Sequence, residues 1–202
     1  MAMPKISDEK RAARRAQILE AAWSCFQKEG LHATTMDDII RASGLSAGAV
    51  YSYYPGKDQL ILAAVIMSLS GLTSLVEPLL HAEPALAPAE LIERIAETID
   101  RFTTRDGYDL KRIALLGWSE AQRSEQLKTT MMSFYFHFRS ELANTVARWR
   151  SDNSYAPAIP VSDAAATLLS LVLGYVVQSA ILGDVEPGGV TRGLETLAQL
   201  MA

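Results

Sequence analysis

From Thr34 to Leu60 the sequence TTMDDIIRASGLSAGAVYSYYPGKDQL sets helix-start and helix-stop signals so close together that it has room only for two short helices about a tight turn. Thr35 is placed to cap a helix beginning at Met36, and Asp38 stands where a capping-box partner reaches back. Ile39 and Ile40 supply a core face for that helix. Gly44 can take the left-handed conformation that ends it, and Ser46 can cap a second helix from Ala47. A connection of three or four residues between two helices is the geometry of a helix-turn-helix.

The second helix is the informative one. Ala47, Gly48 and Ala49 have almost no side chain, so its backbone can approach a groove or a phosphate closely. Tyr51, Tyr53 and Tyr54 follow, more aromatics than a small core needs, and phenol hydroxyls are good phosphate donors. Pro55-Gly56 breaks the helix, and Lys57 opens the next segment with a positive charge. On spacing alone a helical hairpin with no role on DNA stays open.

With 202 residues, 49% of them hydrophobic, the chain can build one large or two small cores and is not disordered. A net charge of −4 looks unpromising for a DNA binder until it is divided along the chain. Residues 1–60 hold eight Lys/Arg against seven Asp/Glu, whereas residues 61–202 hold eleven against sixteen. Within residues 1–15, Lys5, Lys10, Arg11, Arg14 and Arg15 face only Asp8 and Glu9, which predicts a basic arm before the first helix. Such an arm suits either phosphate contact or plain solvation.

The single cysteine, Cys25, excludes an internal disulfide framework and fits a reducing cytoplasm. A small core residue is its expected role. No signal peptide is visible, because the N-terminus is charged and lacks an apolar run. Ala164 to Leu182 carries no charge over nineteen residues, read as the only such segment. Thr167, Ser170, Gln178 and Ser179 interrupt it, so a helix buried on all sides is expected rather than a membrane span.

Helical periodicity recurs along the whole chain and no strand pattern stands out, which predicts an all-α protein of about nine helices. The expected helices run over about Arg14–Glu29, 36–43, 47–53, Asp58–Leu80, Ala89–Thr104, Leu110–Ser119, Glu125–Arg150, Ser162–Gly183 and Val190–Met201. His81 to Ala89 and Ser151 to Pro160 read as Pro-containing loops, Asp106-Gly107 as a stop, and Pro187-Gly188-Gly189 as a separator. Ile92, Ile95, Ile99 and Phe102 mark one amphipathic face; Met131, Phe134, Tyr135, Phe138, Leu142, Val146 and Trp149 mark a longer one. Residues 1–57 are expected to form one domain and 58–202 another.

Ile18-Leu19-Glu20-Ala21-Ala22 with Phe26 and Gly30, Thr34-Thr35 with Ile39, Ala42-Ser43-Gly44-Leu45-Ser46 with Gly48, Val50 and Tyr51, and Lys57 with Leu60 agree in register over about fifty residues with one family. In these positions the chain resembles the DNA-binding domain of the TetR family of one-component transcriptional regulators. Tyr53 and Tyr54 depart from it, standing where the family often has His-Phe. The rest of the chain resembles the family only in helical plan.

The resemblance implies a helix-turn-helix whose second helix enters the major groove by its N-terminal end, presenting Ser46, Ala47 and Gly48. Such small groups read few bases. Arg41 is then the expected bidentate reader of a guanine edge, with phosphate pairing the alternative. Thr35, Tyr51, Tyr53 and Lys57 are assigned to phosphates and orientation.

A homodimer on a palindromic double-stranded operator is implied as well, paired through the last two helices. Leu168, Leu171, Val172, Tyr175, Ile181, Leu194 and Leu197 are its candidate surface, in competition with the subunit's own core. An effector pocket is implied in the C-terminal bundle, with Trp118, Met131, Phe134, Tyr135, Phe138, Tyr175 and Gln178 as candidates and packing as their other role. A moderately apolar small molecule suits it.

The expected function is thus a ligand-responsive cytoplasmic repressor, the alternatives being a ligand-insensitive or activating regulator of the same fold and, more weakly, a helical enzyme. No cofactor and no metal are expected: His137 and Glu141 lie four apart on one helix but lack a third ligand. Ser46 in LSAGA does not form a G-x-S-x-G nucleophile elbow, and no Gly-rich phosphate loop occurs.

Overall fold

The computed structural model describes residues 8–103, 110–151 and 160–201, and those residues are helical almost throughout. In chain order the helices are α1 (Asp8–Ala33), α2 (Met36–Ser43), α3 (Ala47–Tyr53), α4 (Lys57–Leu80), α5 (Pro88–Thr103), α6 (Leu110–Ala121), α7 (Glu125–Ser151), α8 (Val161–Ile181) and α9 (Pro187–Met201). Nine helices and no strand among the described residues make this the all-α protein that the periodicity predicts.

Helix α1 differs from its expected start. Lys10, Arg11, Arg14 and Arg15 stand on its first turns rather than on a preceding arm, while Lys5 lies outside the described residues. Asp8 and Glu9 occupy the first turn, where the helix N-terminus favours negative charge. The stop expected at Gly30 is present as a break, φ 80 and ψ 167, a conformation essentially confined to glycine, before one short turn to Ala33. Ile18, Ala22 and Phe26, four apart, form the fully buried face.

The protein divides into two compact units within α4, one ending at Met67 and the other starting at Ser68. In the first unit α1 packs on α2, and Ile18, Phe26, Ile39, Val50 and Leu60 are at most 1% exposed. These five residues come from α1, α2, α3 and α4, so all the short elements share one core.

In the second unit α5, α7 and α8 supply most of the core. Ile92, Ile95 and Ile99 are all buried, as the spacing predicts, and Phe102 packs against them. From α7, Leu142, Val146 and Trp149 meet Ala165, Val172 and Tyr175 of α8. The end of α4 would leave four carbonyls without partners. Arg148 and Thr145 of α7 both donate to the Leu80 carbonyl, and Trp149 Nε1 donates to the Leu86 carbonyl at 2.8 Å.

Several boundaries differ from those expected because proline can open a helix as well as break one. Pro88 and Pro187 each begin a helix, where the missing N–H is not needed, so Pro187, Gly188 and Gly189 form the first turn of α9 rather than a separator. Pro78 lies inside α4 near its end. The Asp106-Gly107 stop and the body of the 151–160 loop lie outside the described residues. Among the described residues two helices, not one, are long and apolar enough to cross a membrane, α4 and α8. Both carry residues of the core just described, as helices of a packed bundle do.

Candidate nucleic-acid interface

The turn between α2 and α3 is built from local hydrogen bonds. The Asp38 N–H donates to Thr35 Oγ1 at 3.2 Å, and the Thr35 N–H and hydroxyl donate to Asp38 Oδ2 at 3.0 and 2.6 Å, a complete capping box. Gly44 closes α2 at φ 67, and its N–H donates to the Arg41 carbonyl. Ser46 caps α3 by accepting from the Ala49 N–H. Only Gly44, Leu45 and Ser46 separate the helices. Gln17 of α1 donates to the Ser43 carbonyl at 2.8 Å and pins the turn to the core.

The two Thr35 donors hold the Asp38 carboxyl below the usual aspartate range, with the Arg41 charge a smaller cause. The cap therefore stabilises the fold fully above that range and loses its contribution as pH falls through the lowered value. Thr35→Ala is expected to cost about 1 kcal/mol at neutral pH. Its deficit should shrink below pH ~4, where the unfolded carboxyl also protonates. Urea titrations of both proteins at pH 7 and pH 3 would check this; a deficit that grows in acid would contradict the assignment.

Around this frame the expected contact residues fall into three groups. Thr35, Ser46, Ala47 and Gly48 are exposed, and an added Cβ at Gly48 would meet nothing within 4 Å. Arg41 is 78% exposed, its guanidinium 3.3 Å from Asp38 Oδ1. Tyr51 is 45% exposed and Tyr53 half-buried. Thr35 stands at the cap of α2 and Arg41 near its end, Ser46, Ala47 and Gly48 at the start of α3, and Tyr51 and Tyr53 in its last turn.

Tyr54 is buried and belongs to the core, where burial raises its pKa. Lys57, expected to serve phosphates and orientation, donates from Nζ to the His32 carbonyl at 3.2 Å and the Thr34 carbonyl at 3.1 Å. It secures the last turn of α1, leaving one ammonium proton for another acceptor. Cys25 is half-buried, and burial followed by the Asp38 charge raises its pKa, which favours the protonated thiol at neutral pH.

The second unit holds a partly open cavity of about 80 Å³, room for roughly five waters. Of the residues expected there, Trp118, Phe134, Tyr135 and Phe138 line it. Met131 and Tyr175 are instead core residues, and Gln178 is exposed on α8. The sequence reading missed the wall from α4, Leu69, Leu72, Thr73 and Val76, and missed Lys111 of α6. Lys111 Nζ lies 2.7 Å from Asp100 Oδ1, and the Tyr175 hydroxyl donates to Asp100 Oδ2 at 2.7 Å. The visible signal was Asp100 itself, a carboxylate set directly after Ile99 in an apolar stripe.

The candidate dimer residues also divide. Leu168, Val172 and Tyr175 point into the subunit's own core, which corrects their assignment to a surface, and Leu171 packs partly against it. Ile181 is 65% and Leu197 56% exposed, and Leu194 is half-buried. Glu141 pairs with His81 at 3.0 Å, and no metal-binding cluster occurs among the described residues.

Comparison with known proteins converges on one family. Residues 18–64 match the family described as bacterial regulatory proteins, tetR family. The HTH-type transcriptional regulator YfiR of Bacillus subtilis (strain 168) is 26% identical over 199 residues, 98% of this chain and 94% of that protein. The HTH-type transcriptional regulator BetI of Rhizobium meliloti (strain 1021) is 32% identical over 142 residues, 69% of this chain and 66% of its own. The fold matches that of Salmonella enterica GusR with a TM-score of 0.74 at 21% identity, over 96% of both chains.

Proposed function

We propose, on the premise that this chain belongs to the TetR family of transcriptional regulators, that it represses transcription as a homodimer on a palindromic operator and releases DNA when a small, moderately apolar molecule fills its cavity. The relatives are transcriptional regulators rather than enzymes, and regulation of transcription in the cytoplasm follows from the family. The operator, the effector and the sign of regulation are our reading.

The observation that carries it is the presence, in one chain, of an exposed helix start free of bulky groups and a largely apolar cavity. The first suits close approach to a groove, and the second is the form small-molecule sites take. Helix α4 belongs to both units, with Lys57 at its start and Leu69, Leu72 and Val76 on the cavity wall. It is therefore the element through which an occupant can bias the reading head. Reversing a 99:1 population takes roughly 5.5 kcal/mol of differential binding.

Dimerisation follows from the reading geometry and from surface chemistry. Half-sites one helical turn apart require two copies of α3 about 34–36 Å apart. Ile181, Leu182, Leu197 and Leu200 of α8, its C-cap and α9 are more than half exposed, apolar area that a partner copy would cover.

Mobility-shift assays on DNA flanking the protein's own gene, with and without a ligand library, test the proposal. Binding to a palindrome that a ligand abolishes is expected. Failure to bind any palindrome at low salt would remove the repressor reading, and binding that persists against every ligand would favour a ligand-insensitive regulator. In the same assay Arg41→Ala should cost about 1–3 kcal/mol on the operator and relax preference at one base position. Equal losses on operator and random DNA would reassign Arg41 to phosphate.

A further inference from the structure

We propose that the cavity of the second unit takes a small, uncharged, ring-bearing molecule whose single hydrogen-bond acceptor receives the Tyr135 hydroxyl. Its regulatory consequence rests on the ligand-responsive reading above; the binding chemistry stands on the cavity walls alone.

Three features of the walls define the ligand. The first is flatness: Trp118 from α6 and Phe134, Tyr135 and Phe138 from α7 bring four aromatic side chains to one cavity. Rings offer large rigid faces, and offset or edge-on contact with another ring is favourable beyond the area it covers. The second is size, because a cavity of about 80 Å³ suits a small molecule of about one ring better than a macrocycle.

The third feature is the arrangement of polar groups. Trp118 Nε1 donates to Tyr135 Oη at 2.6 Å, which occupies the phenol as an acceptor and aims its remaining capacity at donation. No described residue accepts the Tyr135 proton. Burial raises the Tyr135 pKa, so at neutral pH the group is a phenol with a proton to give. A half-buried donor beside an apolar space is costly unless something accepts from it.

Charge is closed off within the protein. Lys111 is the one charged side chain on the described wall, and its ammonium is paired with Asp100 at 2.7 Å, while Tyr175 donates to the other carboxylate oxygen. The group also sits 5.9 Å from the Tyr175 ring centroid. A ligand carboxylate would need a second cation beside Lys111, which Asp100 already neutralises, and a ligand ammonium would need a second anion beside Asp100. Neither counter-charge stands on the described wall, so either ligand would leave an uncompensated charge beside an apolar space. A neutral acceptor such as a ketone, ester or aldehyde oxygen needs neither.

Four probes on one skeleton test this with the full chain: acetophenone, ethylbenzene, benzoate and benzylamine, titrated by calorimetry into wild type and Tyr135→Phe. Acetophenone should bind most tightly, with benzoate and benzylamine at least tenfold weaker. In Tyr135→Phe acetophenone should weaken roughly three- to tenfold, the worth of one hydrogen bond, while ethylbenzene changes less than twofold. Comparing the two neutral probes separates loss of the hydrogen bond from loss of packing. The proposal is overturned if a charged probe matches acetophenone, if both neutral probes weaken alike, or if none of the four binds at millimolar concentration.

A mobility-shift arm keeps the two readings apart. Tyr135-dependent binding with no effect on DNA affinity supports the cavity chemistry and counts against ligand-responsive regulation. DNA release by a molecule to which Tyr135→Phe responds as wild type does leaves the regulation standing and overturns the present assignment.

Discussion

Gly48→Glu should reduce operator affinity by a hundredfold or more while leaving the fold at least as stable as wild type. The free protein has every reason to accept the change. Nothing lies within 4 Å of an added Cβ at Gly48, the position is exposed, and it is the second residue of α3. Glutamate replaces a poor helix former with a good one, worth about 0.5–1 kcal/mol, and puts negative charge at a helix N-terminus, where it is favoured. On DNA the same side chain would fill the space that lets the backbone approach and would set a carboxylate among phosphates. Like charges brought together in an interface cost on the order of several kcal/mol. Thermal unfolding and operator titration on one preparation would decide it. A variant that is folded and still binds tightly would mean that the start of α3 does not face DNA.

Phe26→Ala should cost about 3–5 kcal/mol, the range for truncating a buried aromatic. Phe26 is 1% exposed on the face of α1 that also carries Ile18 and Ala22, and it shares the core that holds Ile39 of α2 and Val50 of α3. DNA binding should be lost by unfolding of the first unit, without any contact residue having changed. Urea denaturation followed by fluorescence has a local reporter in Trp23, 4% exposed on α1. A midpoint within error of wild type would show that the first unit is not organised around this residue. Together the two variants separate the causes of lost binding: Gly48→Glu removes it from a folded protein, Phe26→Ala by removing the fold.

The reading head was legible because its signals are local. Thr35, Asp38, Gly44 and Ser46 act within four residues of themselves, so their types and spacing carry the whole geometry. Lys57 was not legible in the same way. A positive charge at the start of a helix suggests a phosphate, yet its ammonium lies on carbonyls 23 and 25 residues earlier in the chain. No local pattern encodes that fold-back.

The second unit was harder for a related reason. Helix α8 is apolar all round, so its periodicity does not say which side faces inward. Packing against α5 and α7 turned Leu168, Val172 and Tyr175 inside and left Ile181 outside. On α7 one stripe of seven residues was read correctly as a face, but Met131, Leu142, Val146 and Trp149 fill core while Phe134, Tyr135 and Phe138 border empty space. A cavity is an absence between helices, and the sequence of one helix does not contain it.

The amino-acid order by itself thus determined the all-α plan, the cap and turn chemistry of α2 and α3, and the family, because each rests on interactions between near neighbours in the chain. Tertiary structure alone decided that Lys57 clasps α1, that Asp100 draws together Lys111 and Tyr175, and that Trp118 leaves the Tyr135 proton free beside a cavity. Those arrangements join groups far apart in sequence, and only the packing of several helices fixes which of them meet.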